Sequence, residues 1–203
     1  MSPILGIFDS AKSGNIYQSS YDSIATVAVG AGGANTVEFT NIPSTYSHLQ
    51  IRGLVRQNVA GNVVGDAYIR FNGDTGSNYA THVLQATVTT PPGTVTAGAS
   101  TAGAPTSRSA FRLVGSGATS NRFSPVIIDI LDYTNTNKYK TQRSLSGANN
   151  GSGECVLNLQ SELWLSTSAI TSILIGNIQG GFGSTVGWAQ YTHFALYGIK
   201  VAS

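Results

Sequence analysis

The sequence predicts an all-β chain: an antiparallel two-sheet sandwich, jelly-roll-like, with an extended N-terminal arm. Three observations carry that prediction. β-Branched residues, Gly, Ser and Asn interrupt every window in which an apolar stripe could recur at helical spacing. About ten short runs suit strands, and clusters of Gly, Asn and Asp punctuate them at intervals that fit antiparallel connections. The length, 203 residues, is that of one sandwich domain and is enough to bury a core without a disulfide. Cys155 is the only cysteine, so no disulfide can form within the chain, and it is read as a small semi-buried side chain.

Residues 1–20 are read as the arm, and residues 21–203 as the sandwich. Ile4, Leu5, Ile7 and Phe8 form an apolar cluster too short to hold a structure alone, so it needs another subunit or its own sandwich for burial. The same stretch lacks the basic segment and long apolar core of a signal peptide, and no run of 18 apolar residues follows anywhere. Membrane insertion is therefore not expected. Strands are predicted over 21–29, 36–40, 47–57, 67–72, 79–89, 109–114, 123–133, 138–146, 156–166, 169–179 and 191–201. In 47–57, Leu49, Ile51, Gly53 and Val55 share one face while His48, Gln50, Arg52 and Arg56 share the other, the mark of a half-buried strand. Runs 123–133 and 169–179 carry successive apolar residues, so both of their faces need cover, centrally in the sandwich or at a subunit contact. Residues 90–107 are nearly uncharged and weakly apolar, and are read as a long excursion between strands.

Charge is scarce. Only 10% of residues are charged, against about 25% in ordinary domains. The net charge of +2 gives no basic stripe for nucleic acid. About a third of the chain is Ser, Thr, Asn or Gln. Such a surface is less costly to dehydrate than one of Lys and Glu, which favours an assembled protein over a free enzyme.

No motif for nucleophilic, zinc-dependent or nucleotide chemistry is present. His48, His82 and His193 are far apart in sequence, so neither a metal nor another cofactor is expected. The acids Asp129, Asp132, Glu154 and Glu162 read as ordinary strand-end charges. The turn Asp74–Asn78 gathers oxygen ligands, but Asx-turn chemistry accounts for it without an ion. Candidate surface contacts are the cations Lys138, Lys140 and Arg143, for an acidic neighbour or glycan, and the rings of Trp188 and Tyr191, for sugar stacking. Trp164 is read as a packing residue.

Six segments carry a family resemblance: SPILGIFDSAKSGN, SYDSIATVAVGAGGANTVEFTNIPSTYSHLQIRG, YIRFNGDTGSNYATH, NKYKTQRSLSG, SELWLSTSAITSILI and FALYGIK. Together they resemble small β-rich virion structural proteins of tailed bacteriophages, including cyanophages. The resemblance implies a non-enzymatic component of the virion surface, made in the host cytoplasm and often assembled as a homotrimer. A capsid decoration or cement protein, held to the major capsid protein through its arm, is the expected role. A tail-fibre or spike component that binds a host surface glycan is the alternative, and a carbohydrate-active enzyme is a distant third. The motifs carry no catalytic residues.

Overall fold

The computed structural model describes residues 20–88, 94–104, 107–151, 153–178 and 187–200. Among these there is no helix. Twelve strands follow one another: β1 (Tyr21–Ala28), β2 (Thr36–Phe39), β3 (His48–Val55), β4 (Val64–Phe71), β5 (Tyr79–Val88), β6 (Thr94–Ala104), β7 (Ser107–Val114), β8 (Ser124–Leu131), β9 (Lys140–Asn149), β10 (Cys155–Trp164), β11 (Ile173–Asn177) and β12 (His193–Ile199). A long sheet has the order β1-β12-β3-β8-β9-β10-β5-β6 and a short one the order β2-β11-β4-β7, with antiparallel pairing throughout. The expected two-sheet antiparallel architecture is therefore present. The arm with Ile4, Leu5, Ile7 and Phe8 lies outside the described residues.

The strand order separates into two parts. The chain alternates between sheets through β1, β2, β3 and β4, and again through β7 and β8 and through β11 and β12. Those eight strands make β1-β12-β3-β8 face β2-β11-β4-β7. The other four are two hairpin inserts, β5–β6 and β9–β10, which pair side by side as β9-β10-β5-β6 and widen the long sheet. Strand β6 runs through the segment read as an excursion. Its sequence, TVTAGASTAGA, has little apolar signal, but an edge strand is held by backbone bonds to one neighbour and needs little else.

Between the sheets lies the apolar core. Leu49, Ile51, Val126, Ile128, Ile130, Phe194 and Leu196 of the long sheet meet Val37, Phe39, Ile69, Phe71, Phe111, Ile173 and Ile175 of the short one, all buried. Trp188 fills the centre, its ring edge-on to Phe194 at 5.0 Å and stacked with Phe111 at 6.3 Å, while its indole N–H donates to the carbonyl of Ile175. Gly198 is required by a close approach: a Cβ there would sit 2.3 Å from the ring of Tyr46, which lies across it.

Strand β7 is the edge of the short sheet, with β4 on one side only. Its other edge faces the long sheet, and buried serines satisfy it. The Ser124 and Ser146 Oγ atoms accept from the backbone N–H groups of Val114 (2.9 Å) and Arg112 (3.2 Å), and the Ser144 hydroxyl donates to the carbonyl of Ala110. Residues 110, 112 and 114 alternate along the strand, so one side of its backbone is bonded by side chains of β8 and β9 where another strand would otherwise pair. Nearby, Arg56 fixes the connection that follows β7. Its Nη1 donates to the carbonyls of Thr119 and Arg122, and its Nη2 to those of Ser116 and Ala118, at 2.9–3.1 Å.

Replacing Ser124 by Ala leaves a buried N–H without a partner and should lower stability by roughly 1–3 kcal/mol in urea denaturation. The exposed Ser161→Ala control should change it by less than about 0.5 kcal/mol.

Candidate functional site

In β9 and β10 the usual division of polar and apolar residues is reversed. The inward residues of β9 are Lys140, Gln142, Ser144 and Ser146, and those of β10 are Asn158, Gln160 and Glu162, bracketed by Val156 and Trp164. All are buried. Leu145, Leu157 and Leu159 consequently point outward, and Leu157 keeps 57% of its surface exposed.

Register turns these outward residues into a continuous face. Arg52, Ile127, Leu145, Leu159 and Leu84 are successive cross-strand neighbours on β3, β8, β9, β10 and β5. One row along lie Leu54 and Pro125, with Gly147, Leu157 and Ala86. On the other side is a polar row: Gln50, Asp129, Arg143, Ser161 and His82. Tyr21, Leu54, Leu84, Val88, Ile127, Leu131, Leu145, Leu157 and Leu159 all project from this outer face. They are nine of the eleven exposed large apolar side chains among the described residues; only Tyr139 and Tyr191 lie elsewhere. Such concentration in one patch marks an interaction surface.

The polar row is ordered by its own hydrogen bonds. Arg52 Nε donates to Gln50 Oε1 at 2.7 Å, Gln50 Nε2 donates to Asp129 Oδ1 at 2.7 Å, and Arg143 reaches Asp129 Oδ2 at 3.4 Å. The Arg52 guanidinium lies 5.8 and 6.0 Å from the ring centres of Tyr21 and Tyr197. Between this row and the leucines is an open basin of about 390 Å³, lined by Gln50, Ile127, Asp129, Arg143, Leu145 and Leu159.

The candidate contacts read from sequence are dispersed. Arg143 is exposed on this face. Lys138 is exposed in the turn before β9, paired with Asp132. Lys140 is a correction: it is buried, and its ammonium donates to the carbonyls of Asn135, Lys138 and Thr167, so it closes the turn from within. Burial, then the charge of Lys138, lower its pKa against the opposing pull of Asp132. Trp188 is also a correction, since the core needs its volume and it has no exposed surface; Tyr191 is 71% exposed on a left-handed turn at φ 70°. The two rings form no shared platform. Trp164 packs in the core as expected. Cys155 is exposed rather than semi-buried, because it starts β10 with outward parity.

Other chemical candidates resolve into structural roles. The Asp74 carboxylate accepts from Trp164 Nε1 (2.7 Å), Asn78 Nδ2 (2.9 Å) and the Gly76 N–H (2.8 Å). Burial alone would raise its pKa, but these three donors together with Arg70 hold it below the usual value. Its oxygens are turned to N–H groups, an arrangement opposed to cation binding. His48 Nδ1 accepts the Asp132 N–H at 2.9 Å, whereas His82 and His193 stand five strand spacings apart, roughly 24 Å. Among the described residues no group of three His, Cys, Asp or Glu side chains is placed to share a metal.

Glu162, read as an ordinary strand-end charge, is instead a fully buried carboxyl inside β10. Gln142 Nε2 donates to its Oε2. Burial pushes its pKa well above the usual range, and the Gln142 bond offsets this only in part. Burial likewise raises the neighbouring Tyr79 phenol to about 12. Comparison of the chain with protein-family models, curated proteins and solved structures returns no match.

The native state retains the Glu162 proton to a higher pH than the unfolded chain, whose carboxyl titrates near 4.5. The associated stability is complete below that value and is lost as pH rises toward the native pKa. Urea midpoints of Glu162→Gln should lack this fall above about pH 4.5, leaving a difference from wild type that grows with pH.

Proposed function

We propose that this chain is a structural subunit of a larger assembly, and that the assembly is a bacteriophage virion, with the chain serving as a capsid decoration or cement protein. The observation that carries the assembly reading is the outward apolar face over β8, β9, β10 and β5, whose leucines are exposed while Gln142, Asn158, Gln160 and Glu162 are enclosed. A subunit that stays free gains nothing from leaving those leucines exposed. One that is covered after assembly gains the burial, at roughly 25 cal/mol per Å² of apolar area.

The particle-specific part of the reading rests on the sequence segments that resemble virion proteins. The strand order supports it: in this reading β1-β12-β3-β8 facing β2-β11-β4-β7 follows the alternation expected of a jelly roll, widened by two hairpins, and jelly rolls build viral capsid domains as well as lectins. Fold alone does not choose between those uses. The alternative fibre reading loses its proposed Trp188–Tyr191 platform, because Trp188 is in the core. It keeps Tyr191, Lys138 and Arg143 as separate exposed groups.

A decoration protein acts by linkage: each copy that binds only the mature lattice stabilises that lattice. Quantitative mass spectrometry of purified particles should find on the order of hundreds of copies per head. A few dozen or fewer would favour the fibre, and absence from particles would remove the virion reading. Full-length protein should bind isolated heads, whereas a variant lacking residues 2–14 should remain folded and lose binding. Retained binding would place the anchor outside Ile4, Leu5, Ile7 and Phe8.

A further inference from the structure

The outer face of the long sheet carries a pattern that complements itself. Consider a two-fold axis that runs along the strands between β8 and β9, in the plane where two such faces meet. It sets β8 against β9 of a second copy and β3 against β10, keeping each cross-strand row in register. Ile127 then faces Leu145, and Leu54 faces Leu157. Arg52 lays its aliphatic stem over Leu159. Pro125 meets Gly147, beside which a Cβ would find no atom closer than 3.8 Å. In the polar row Asp129 faces Arg143 and Arg143 faces Asp129, so both charges are answered twice across the axis. An axis along the rows would instead set Asp129 and Arg143 against the Leu54 and Leu157 side of the face.

We propose that this face is a homotypic interface, closed by a second copy of the chain about a two-fold axis between β8 and β9. The available area is sufficient. Seven strand spacings and eight-residue strands give a footprint of roughly 34 by 26 Å, or about 900 Å², against the ~800 Å² per partner of a standard interface. Packing of the two long sheets face to face would follow the aligned geometry of stacked sheets, with the leucines interdigitating in a layer ~10 Å thick. A self-complementary patch closes after two copies, unlike the heterologous contact that a trimer needs. The inference deepens the assembly reading and rests on it by naming the occupant of the same face.

Sedimentation velocity of the full-length chain tests it. Wild type should be a dimer. Asp129→Arg should place guanidinium groups on both sides of each contact, and Arg143→Asp should place carboxylates there. Each variant should weaken self-association about 30-fold or more. Mixed in equal amounts, the two should form a heterodimer, because the contacts then pair opposite charges again. Mixing does not repair the Asp129–Arg143 pair within either chain, so recovery reports the contact between copies. Leu145→Glu should keep its strand signature in circular dichroism and sediment as a monomer.

A wild-type monomer or trimer, a dimer indifferent to these changes, or charge variants that fail to recover on mixing would each overturn the proposal. If wild type is monomeric and loss of residues 1–19 makes it dimerise, the face belongs to the chain's own arm, which also overturns it. A wild-type monomer that still binds particles would overturn the second copy as occupant and leave the assembly reading standing.

Discussion

The bonding of the free edge of β7 by Ser124, Ser144 and Ser146 is the constraint from which much of the molecule follows. A four-stranded sheet laid over a wider one has an edge that ends above the larger sheet, and its backbone groups are enclosed there without a neighbouring strand. Water cannot serve them cheaply in that position, so the long sheet must offer hydroxyls instead. Serines at alternate positions of β9, joined by Ser124 of β8, meet the alternate groups of β7. The two sheets are thereby stitched by hydrogen bonds on the side where the hairpin inserts extend, and by apolar packing where Trp188, Phe111 and Phe194 meet.

A strand has two faces, and assigning one to serine and glutamine leaves the other for leucine. The inverted character of β9 and β10 is the direct result. Lys140, Gln142 and Glu162 continue the inward polar row beyond the serines, each with partners that permit enclosure: three carbonyls around the Lys140 ammonium, and the Gln142 amide on the Glu162 carboxyl. Their outward neighbours Leu145, Leu157 and Leu159 join Ile127 and Leu84 into one surface. Edge bonding and surface stickiness are therefore two sides of the same strands.

Much of the architecture was legible in the sequence because it depends on local rules. Leu49, Ile51 and Val55 alternate with polar residues and are buried as their period requires. The run at Val126, Ile127 and Ile128 announced a strand needing cover on both faces, and within a single chain Ile127 remains 38% exposed. Where reading failed, the controlling partner was distant. Lys140 looks like a surface cation until Thr167 supplies a carbonyl to it, and Trp188 looks like a ring on a glycine-rich turn until Phe111 and Phe194 close around it. The outward leucines of β10 could have been found from parity: Val156 and Trp164 share their phase with Asn158, Gln160 and Glu162, so packing those bulky ends draws the polar residues inward with them. Strand β6 gave no such signal, since small residues on an edge are specified by their neighbour's backbone.

An interior bonded in this way also has a thermal character of its own. Unfolding exposes amide and hydroxyl groups along with hydrocarbon, and hydration of the former lowers the heat capacity increment that the latter raises. Compared with an oil-filled sandwich of equal length, the chain should have a shallower stability curve, so its strength would vary less between cold and warm surroundings. The seam beneath β7 thus influences the range of temperature over which the fold persists, as well as the shape it takes.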